Sequence, residues 1–189
     1  MRFLRFIGMA AFLAMAPVAA LAADDILDAI DQARKAYQSG DMANAKQSLD
    51  LASQLIGQKN AENFAALLPA PLAGWKAEKA ETASVGVAMF GASMASRRYT
   101  NAKGEHVEVR ITGDSAMVMQ FAQLLVNPAI AGAMGKLIRV GNERAIQTHE
   151  GSINMVVASK FLVTVEGSAD AASKLSYAQA VDVAKLSKM

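Results

Sequence analysis

The sequence predicts an α+β fold: an N-terminal helical hairpin followed by a mostly antiparallel sheet of about seven strands covered on one side by helices. Three observations carry that expectation. Residues 24–57 place apolar side chains at spacings of three and four, the period of an amphipathic helix. Between 75 and 166 the apolar residues instead alternate, or gather in short runs separated by Gly, Asn and Asp, as strands and tight turns require. The stretches 115–135 and 171–188 return to helical composition and spacing, so the larger part reads βββαββββα.

The first 22 residues precede this pattern. Arg2 and Arg5 stand before an apolar run over 6–16, followed by Pro17 and Ala20-Leu21-Ala22. This is the layout of a secretory signal peptide with small residues at the cleavage point, so the mature chain is expected to start at Ala23 and to work in the periplasm or outside the cell. The run falls short of the ~20 apolar residues that a bilayer span needs, and no transmembrane anchor is expected. The chain has no cysteine, which leaves no disulfide to staple the fold and makes core packing the source of stability. Setting aside Arg2 and Arg5 leaves 17 basic groups against 17 acidic ones, a balance that disfavours nucleic acid as a partner.

Within 24–57, Ile26, Leu27, Ile30 and Ala33 form one stripe, and Ala45, Leu49, Ala52 and Ile56 form a second. Ser39-Gly40-Asp41 separates them. Asp24 and Asp25 sit where a helix N-terminus favours carboxylates, and Asp41 can cap the second helix by accepting from a backbone N–H. Six acidic residues stand here against Arg34, Lys35 and Lys46, so the hairpin carries −3 and residues 58–189 carry +3. Ala33, Tyr37, Gly40-Asp41, Ala45, Leu49 and Ala52 resemble a tetratricopeptide repeat, in which small residues let two helices approach across a Gly-Asp turn. The chain holds one copy, lacks a large aromatic residue early in the first helix, and has Gly57 where the family places proline. The resemblance implies a packing or docking hairpin over 23–57 and carries over no peptide-binding residue.

Gln58-Lys59-Asn60 is expected to break the helix, giving a 58–72 linker with a short helix over 61–68 that Pro69-Ala70-Pro71 ends. The α+β domain then spans 73–189. Its strands are expected at 75–82, 88–100, 106–112, 137–140, 144–149, 153–159 and 161–166, with helices over 115–135 and 171–188. Trp75, the single tryptophan, reads as a core anchor. Val107, Val109 and Ile111 alternate with His106, Glu108 and Arg110, which buries one face and leaves the other charged.

Residues 115–135 carry no charge, and Asn127-Pro128 should end or kink their helix. Such a helix is either buried on most sides or presents an apolar surface. In the second case Met117, Met119, Phe121, Leu124 and Leu125 would line an adaptable groove, with the glycine segment 86–91 as a flexible neighbour. Arg97-Arg98-Tyr99, with Arg110 on the next strand, is the sharpest basic cluster, although strand alternation sends Arg97 and Arg98 to opposite faces. The bland alternative for Arg98 is a solvated sheet edge paired with Glu108.

Chemistry finds little support. No Gly-x-Ser-x-Gly or Ser-x-x-Lys arrangement is present, and His106 and His149 are the only histidines that could serve a Ser or Thr nucleophile. No phosphate loop or cofactor motif occurs, and the methionines lack the nearby His that a copper site would need. The expected function is therefore an exported, non-enzymatic binding or adaptor protein whose partner is another protein. The alternative is a carrier of a small hydrophobic or amphipathic ligand, with a hydrolase-type enzyme third. The candidate binding residues are Met117, Phe121, Leu124, Leu125, Arg97 and Arg98; no catalytic, cofactor or metal residue is assigned.

Overall fold

The computed structural model describes residues 24–84, 92–113 and 116–189. The leader with its cleavage point, the glycine segment 86–91 and the helix start at 114–115 lie outside the described residues, as do the side chains of Met117, Leu124 and Leu125. Two helices come first, α1 (Asp25–Gln38) and α2 (Met42–Leu67), followed by β1 (Trp75–Ala77), β2 (Glu81–Ser84), β3 (Ser93–Asn101) and β4 (His106–Gly113). Helices α3 (Ala116–Val126) and α4 (Pro128–Met134) lead to β5 (Gly135–Val140), β6 (Glu143–Thr148), β7 (Ile153–Val157) and β8 (Phe161–Glu166). Helices α5 (Ala171–Ala180) and α6 (Val183–Leu186) close the chain as described. The class is α+β, as the hydrophobic periods predict.

The hairpin follows from its capping chemistry. The Asp24 carboxylate accepts from the backbone N–H of Ile26 at 3.2 Å and of Leu27 at 3.3 Å, and Asp41 accepts from that of Asn44 at 3.1 Å. Between the helices Gly40 takes a φ of +82°, a left-handed conformation that a Cβ would strain. The same capping hydrogen bonds hold the Asp41 carboxyl below the usual carboxylate range, that of the Asn44 backbone amide contributing most.

One expectation needs correction here. Helix α2 does not stop at Gly57; it runs unbroken to Leu67, so 58–60 are helical and no separate short helix or linker precedes the prolines. A glycine inside a helix costs ~1 kcal/mol relative to alanine. Burial beyond it offsets that cost: Ala61 is buried, and Phe64 and Leu68 belong to the main core, tying the end of α2 to the sheet. The helix then ends where proline dictates, with Leu68 extended at ψ 135° ahead of Pro69.

The sheet has eight strands, one more than expected, because the 75–82 segment divides. Both β1 and β2 pair antiparallel with β3, with Trp75 opposite Asn101 and Glu81 opposite Ser96. The path across the sheet is β1-β3-β4-β8-β7-β6-β5, with β2 continuing the β1 side of β3. Every pairing is antiparallel, and the β4–β8 ladder, with Arg110 opposite Thr164, joins a hairpin to a four-strand meander. β3 is therefore interior rather than a solvated edge.

Helices cover parts of both faces rather than the one side expected, because the sheet has apolar side chains on each face to bury. On one face α2, α5 and α6 enclose Tyr99, Val107, Val109, Ile111, Met155, Val163 and Val165. On the other, α3 and α4 lie over a smaller cluster of Ile146, Val156 and Ala131, against which Phe121 and Leu162 pack. The closing helix ends at Ala180, where Val181 turns extended and Asp182 caps the short α6 through the backbone N–H of Lys185 at 3.0 Å.

Packing is tight where α2 meets the sheet. Phe64 and Phe161 meet edge to face, 5.6 Å between ring centroids, and a Cβ at Gly113 would lie 2.7 Å from Phe64 Cζ and 2.9 Å from Phe161 Cδ1. Trp75 is half-buried and stands edge-on to Tyr177 at 5.4 Å, while Tyr177 leans on Tyr99 at 4.4 Å. Two tyrosine hydroxyls fasten the proline segment. Tyr99 donates to the Pro69 carbonyl at 2.6 Å, and the Leu72 N–H donates to the Tyr177 oxygen at 3.3 Å. Burial pushes the Tyr99 hydroxyl up to about 12.

Candidate functional site

The hairpin buries small residues and exposes large ones. Ala29 and Ala33 of α1 and Ala45 and Ala52 of α2 are the buried positions, so the helices approach closely along an alanine seam. The larger apolar side chains stand outside it: Leu27, Ile30, Tyr37, Met42, Leu49 and Ile56 are 41–65 % exposed. Among the described residues ten large apolar side chains are exposed, and seven of them belong to this hairpin. At 3.6 residues per turn, Tyr37 lies four positions beyond Ala33, Leu49 four beyond Ala45, and Ile56 four beyond Ala52. Because the helices run antiparallel, that flank falls on the same side of the hairpin in both. Ile30, Tyr37, Met42, Leu49 and Ile56 therefore share one flank, with Leu27 turned further from the seam; exposed apolar groups gathered in this way are the kind of surface that marks an interaction site.

Charges surround the face without entering it. Arg34 pairs with Asp31 at 3.1 Å and Lys46 with Asp50 at 2.6 Å, both exposed and each within one helix. Such pairs contribute only a few tenths of a kcal/mol, about 0.3–0.5, to the helices that hold them. Their effect is to keep the flanks soluble around an apolar centre.

The arginines singled out by sequence separate, as alternation requires. Arg97 turns toward α2, where its Nη1 donates to the Pro69 carbonyl at 3.4 Å and its Nε is buried without a partner. Arg98 stands on the opposite face, 3.5 Å from Glu108. Arg110 reaches the same Glu108 at 2.6 Å and Glu166 at 3.2 Å, so two cations and two anions close a neutral network on the open part of the sheet. Arg97, Arg98 and Arg110 therefore do not assemble into an anion clamp.

Of the α3 residues proposed for binding, Phe121 is half-buried against Ile146, Val156 and Leu162, and Met119 is exposed. Met117, Leu124 and Leu125 lie in the helix, with side chains outside the described residues. Beside α3 a cavity of about 360 Å³ opens among Ala122, Asn142, Glu143, Arg144, Val156, Ala158, Ser159 and Ser187. Ala158 and Ser159 form the β7–β8 turn with φ of 52° and 56°. A non-glycine residue in that region costs on the order of 1 kcal/mol. Sequence reasoning missed this cavity, since 142–144 and 156–159 meet only through the sheet.

His106 stands at the start of β4 beside Ser168. Its Nδ1 lies 3.0 Å from Ser168 Oγ, and that same oxygen accepts from the His106 backbone N–H at 3.0 Å, which makes the contact a local bracket between the start of β4 and the chain after β8. Among the described residues no group of three or more His, Asp or Glu is placed to hold a metal ion, and no helix is long and apolar enough to cross a membrane. No family model, no curated protein and no solved structure matches the chain.

Proposed function

We propose that this chain is an exported, non-enzymatic binding or adaptor protein whose N-terminal hairpin, a single tetratricopeptide-like unit, docks onto another protein. The supporting observation is the apolar flank of Ile30, Tyr37, Met42, Leu49 and Ile56, held out by an alanine seam. The partner has an apolar segment with basic flanks, since the hairpin carries −3. The leader sequence supplies the address, with processing at Ala23.

The test is a photo-crosslinking amino acid placed at position 49 in exporting cells, with position 103, in the exposed β3–β4 turn, as control. An adduct with a second polypeptide at 49 and none at 103 is the expected result. Equal labelling at both positions, or none at 49, sinks the docking reading. N-terminal sequencing of the exported protein should begin at Ala23; an intact Met1 would remove the leader reading.

A second reading, carriage of a small amphipathic ligand, draws support from the cavity of about 360 Å³ beside α3, a volume within the range of ligand sites.

A further inference from the structure

Arginines occur on the sheet in two differently arranged sets. Arg98 and Arg110 share Glu108 and Glu166. Arg139 and Arg144 face each other directly across the β5–β6 ladder, both exposed. Like charges directly opposite on adjacent strands are destabilising. Among the described residues neither is within ion-pairing distance of a carboxylate; Glu143, next to Arg144 in sequence, pairs with Val140 across the ladder and lines both the cavity that Arg144 lines and the groove beside Ala178 and Val183. Arg144 lines the cavity, as does Glu143, and Arg139 stands across the β5–β6 ladder from Arg144 without an ion pair among the described residues.

The cavity wall supplies the other half of the site. Ala122, Val156 and Ala158 give it an apolar floor, while Asn142 and Ser159 offer polar groups near its mouth. The β7–β8 turn that forms one wall holds Ala158 and Ser159 in the left-handed region where Asn-Gly would sit without strain. A guanidinium presents a planar fork of donors suited to an oxyanion, and two side by side can grip one from both sides.

We infer that Arg139 and Arg144, with the cavity between α3 and the β7–β8 turn, bind an amphipathic anion: a carboxylate or phosphate head held by the two arginines and an alkyl body lying on Ala122, Val156 and Ala158. This rests on the carrier reading and names the ligand class for it. Neutralising the arginine pair is what the ligand gains from the protein and the protein from the ligand. Affinity should then grow with chain length, by about fourfold per buried methylene, until the cavity is filled.

The experiment is calorimetric titration of the exported protein with decanoate, decyl phosphate and decyltrimethylammonium. Both anions should bind and the cation should not; Arg144→Ala and Arg139→Ala should each weaken decanoate at least about tenfold, with no loss of thermal stability in the unliganded protein. Decanoate should also outbind hexanoate. Equal binding of anion and cation, or arginine variants with unchanged affinity, overturns this assignment while leaving the carrier reading standing. Failure of all three amphiphiles to bind overturns both. Stronger binding of decyl phosphate than decanoate would identify a phosphate head, and the reverse a carboxylate.

Discussion

The two ends of α2 do opposite things with the same kind of side chain. Toward its N-terminus the helix buries Ala45 and Ala52 and leaves Leu49 and Ile56 in solvent; toward its C-terminus it buries Phe64 outright, with Leu68 just beyond. The buried side rotates between the two, so a single 26-residue helix serves one partner over its first half and another over its second. What differs is the opposing surface. Against α1, a narrow seam of alanines fixes a short interaxial distance and excludes bulk. Against β3 and the Phe161 end of β8, a concave sheet surface accepts an aromatic ring. Large apolar residues are thus core in one half and surface in the other, and composition alone does not separate the two roles.

Breaking that contrast should produce the largest effect at the sheet end. Phe64→Ala removes a fully buried ring from its edge contact with Phe161 and should cost about 3–5 kcal/mol, read as a drop in the denaturation midpoint. A loss below about 1 kcal/mol would mean that the C-terminal half of α2 is not core. Gly113→Ala probes the same junction from the strand. The added methyl would meet both phenyl rings under 3 Å, and overpacking of this kind costs about 1–3 kcal/mol.

A third test uses pH on the tyrosine clamp that holds the proline segment after α2. Tyr99 ionises near 10 when unfolded and is raised to about 12 by burial in the native state. Between those values the native state binds more protons than the unfolded chain, so stability falls as pH rises from 10 toward 12 and is unaffected below that window. The loss should be on the order of 1–2 kcal/mol. In Tyr99→Phe this part of the alkaline slope should vanish; an unchanged slope would place its origin elsewhere.

Features set by neighbours in sequence were legible. The caps at Asp24 and Asp41, the Gly40 turn, the stop at Pro69-Ala70-Pro71 and the alternation of β4 all depend on contacts within a few residues. Features set by distant partners were not. Gln58-Lys59-Asn60 reads as a breaker until Phe64 is seen packed on Phe161, and 75–82 reads as one strand until β3 is seen pairing with it in two pieces. The exposed apolar face of the hairpin shares this history: Ile30, Leu49 and Ile56 were visible in the two stripes, but only the alanine seam shows that these large members point away from the helix pair. The opposition of Arg139 and Arg144 is a matter of register, and it emerges only with the β5–β6 ladder.

The smallest expected effect is the most diagnostic for the hairpin. Leu49→Asp replaces a 55 % exposed side chain in a helix interior, so its cost reduces to a propensity difference of about 0.5 kcal/mol. Midpoint and slope of denaturation should be nearly those of the parent, while adduct formation at a photo-crosslinker at position 56 should fall severalfold. The same substitution at a core leucine would cost several times more, because a carboxylate would be buried without a partner. If Leu49→Asp unfolds the protein as Phe64→Ala is expected to, then Leu49 is covered in solution and both halves of α2 are core. If it is silent in stability and silent in capture, the apolar face is exposed without being used. Only a normal fold with lost capture keeps the two halves of the helix distinct in purpose: one anchors the hairpin to the sheet, and the other meets the partner.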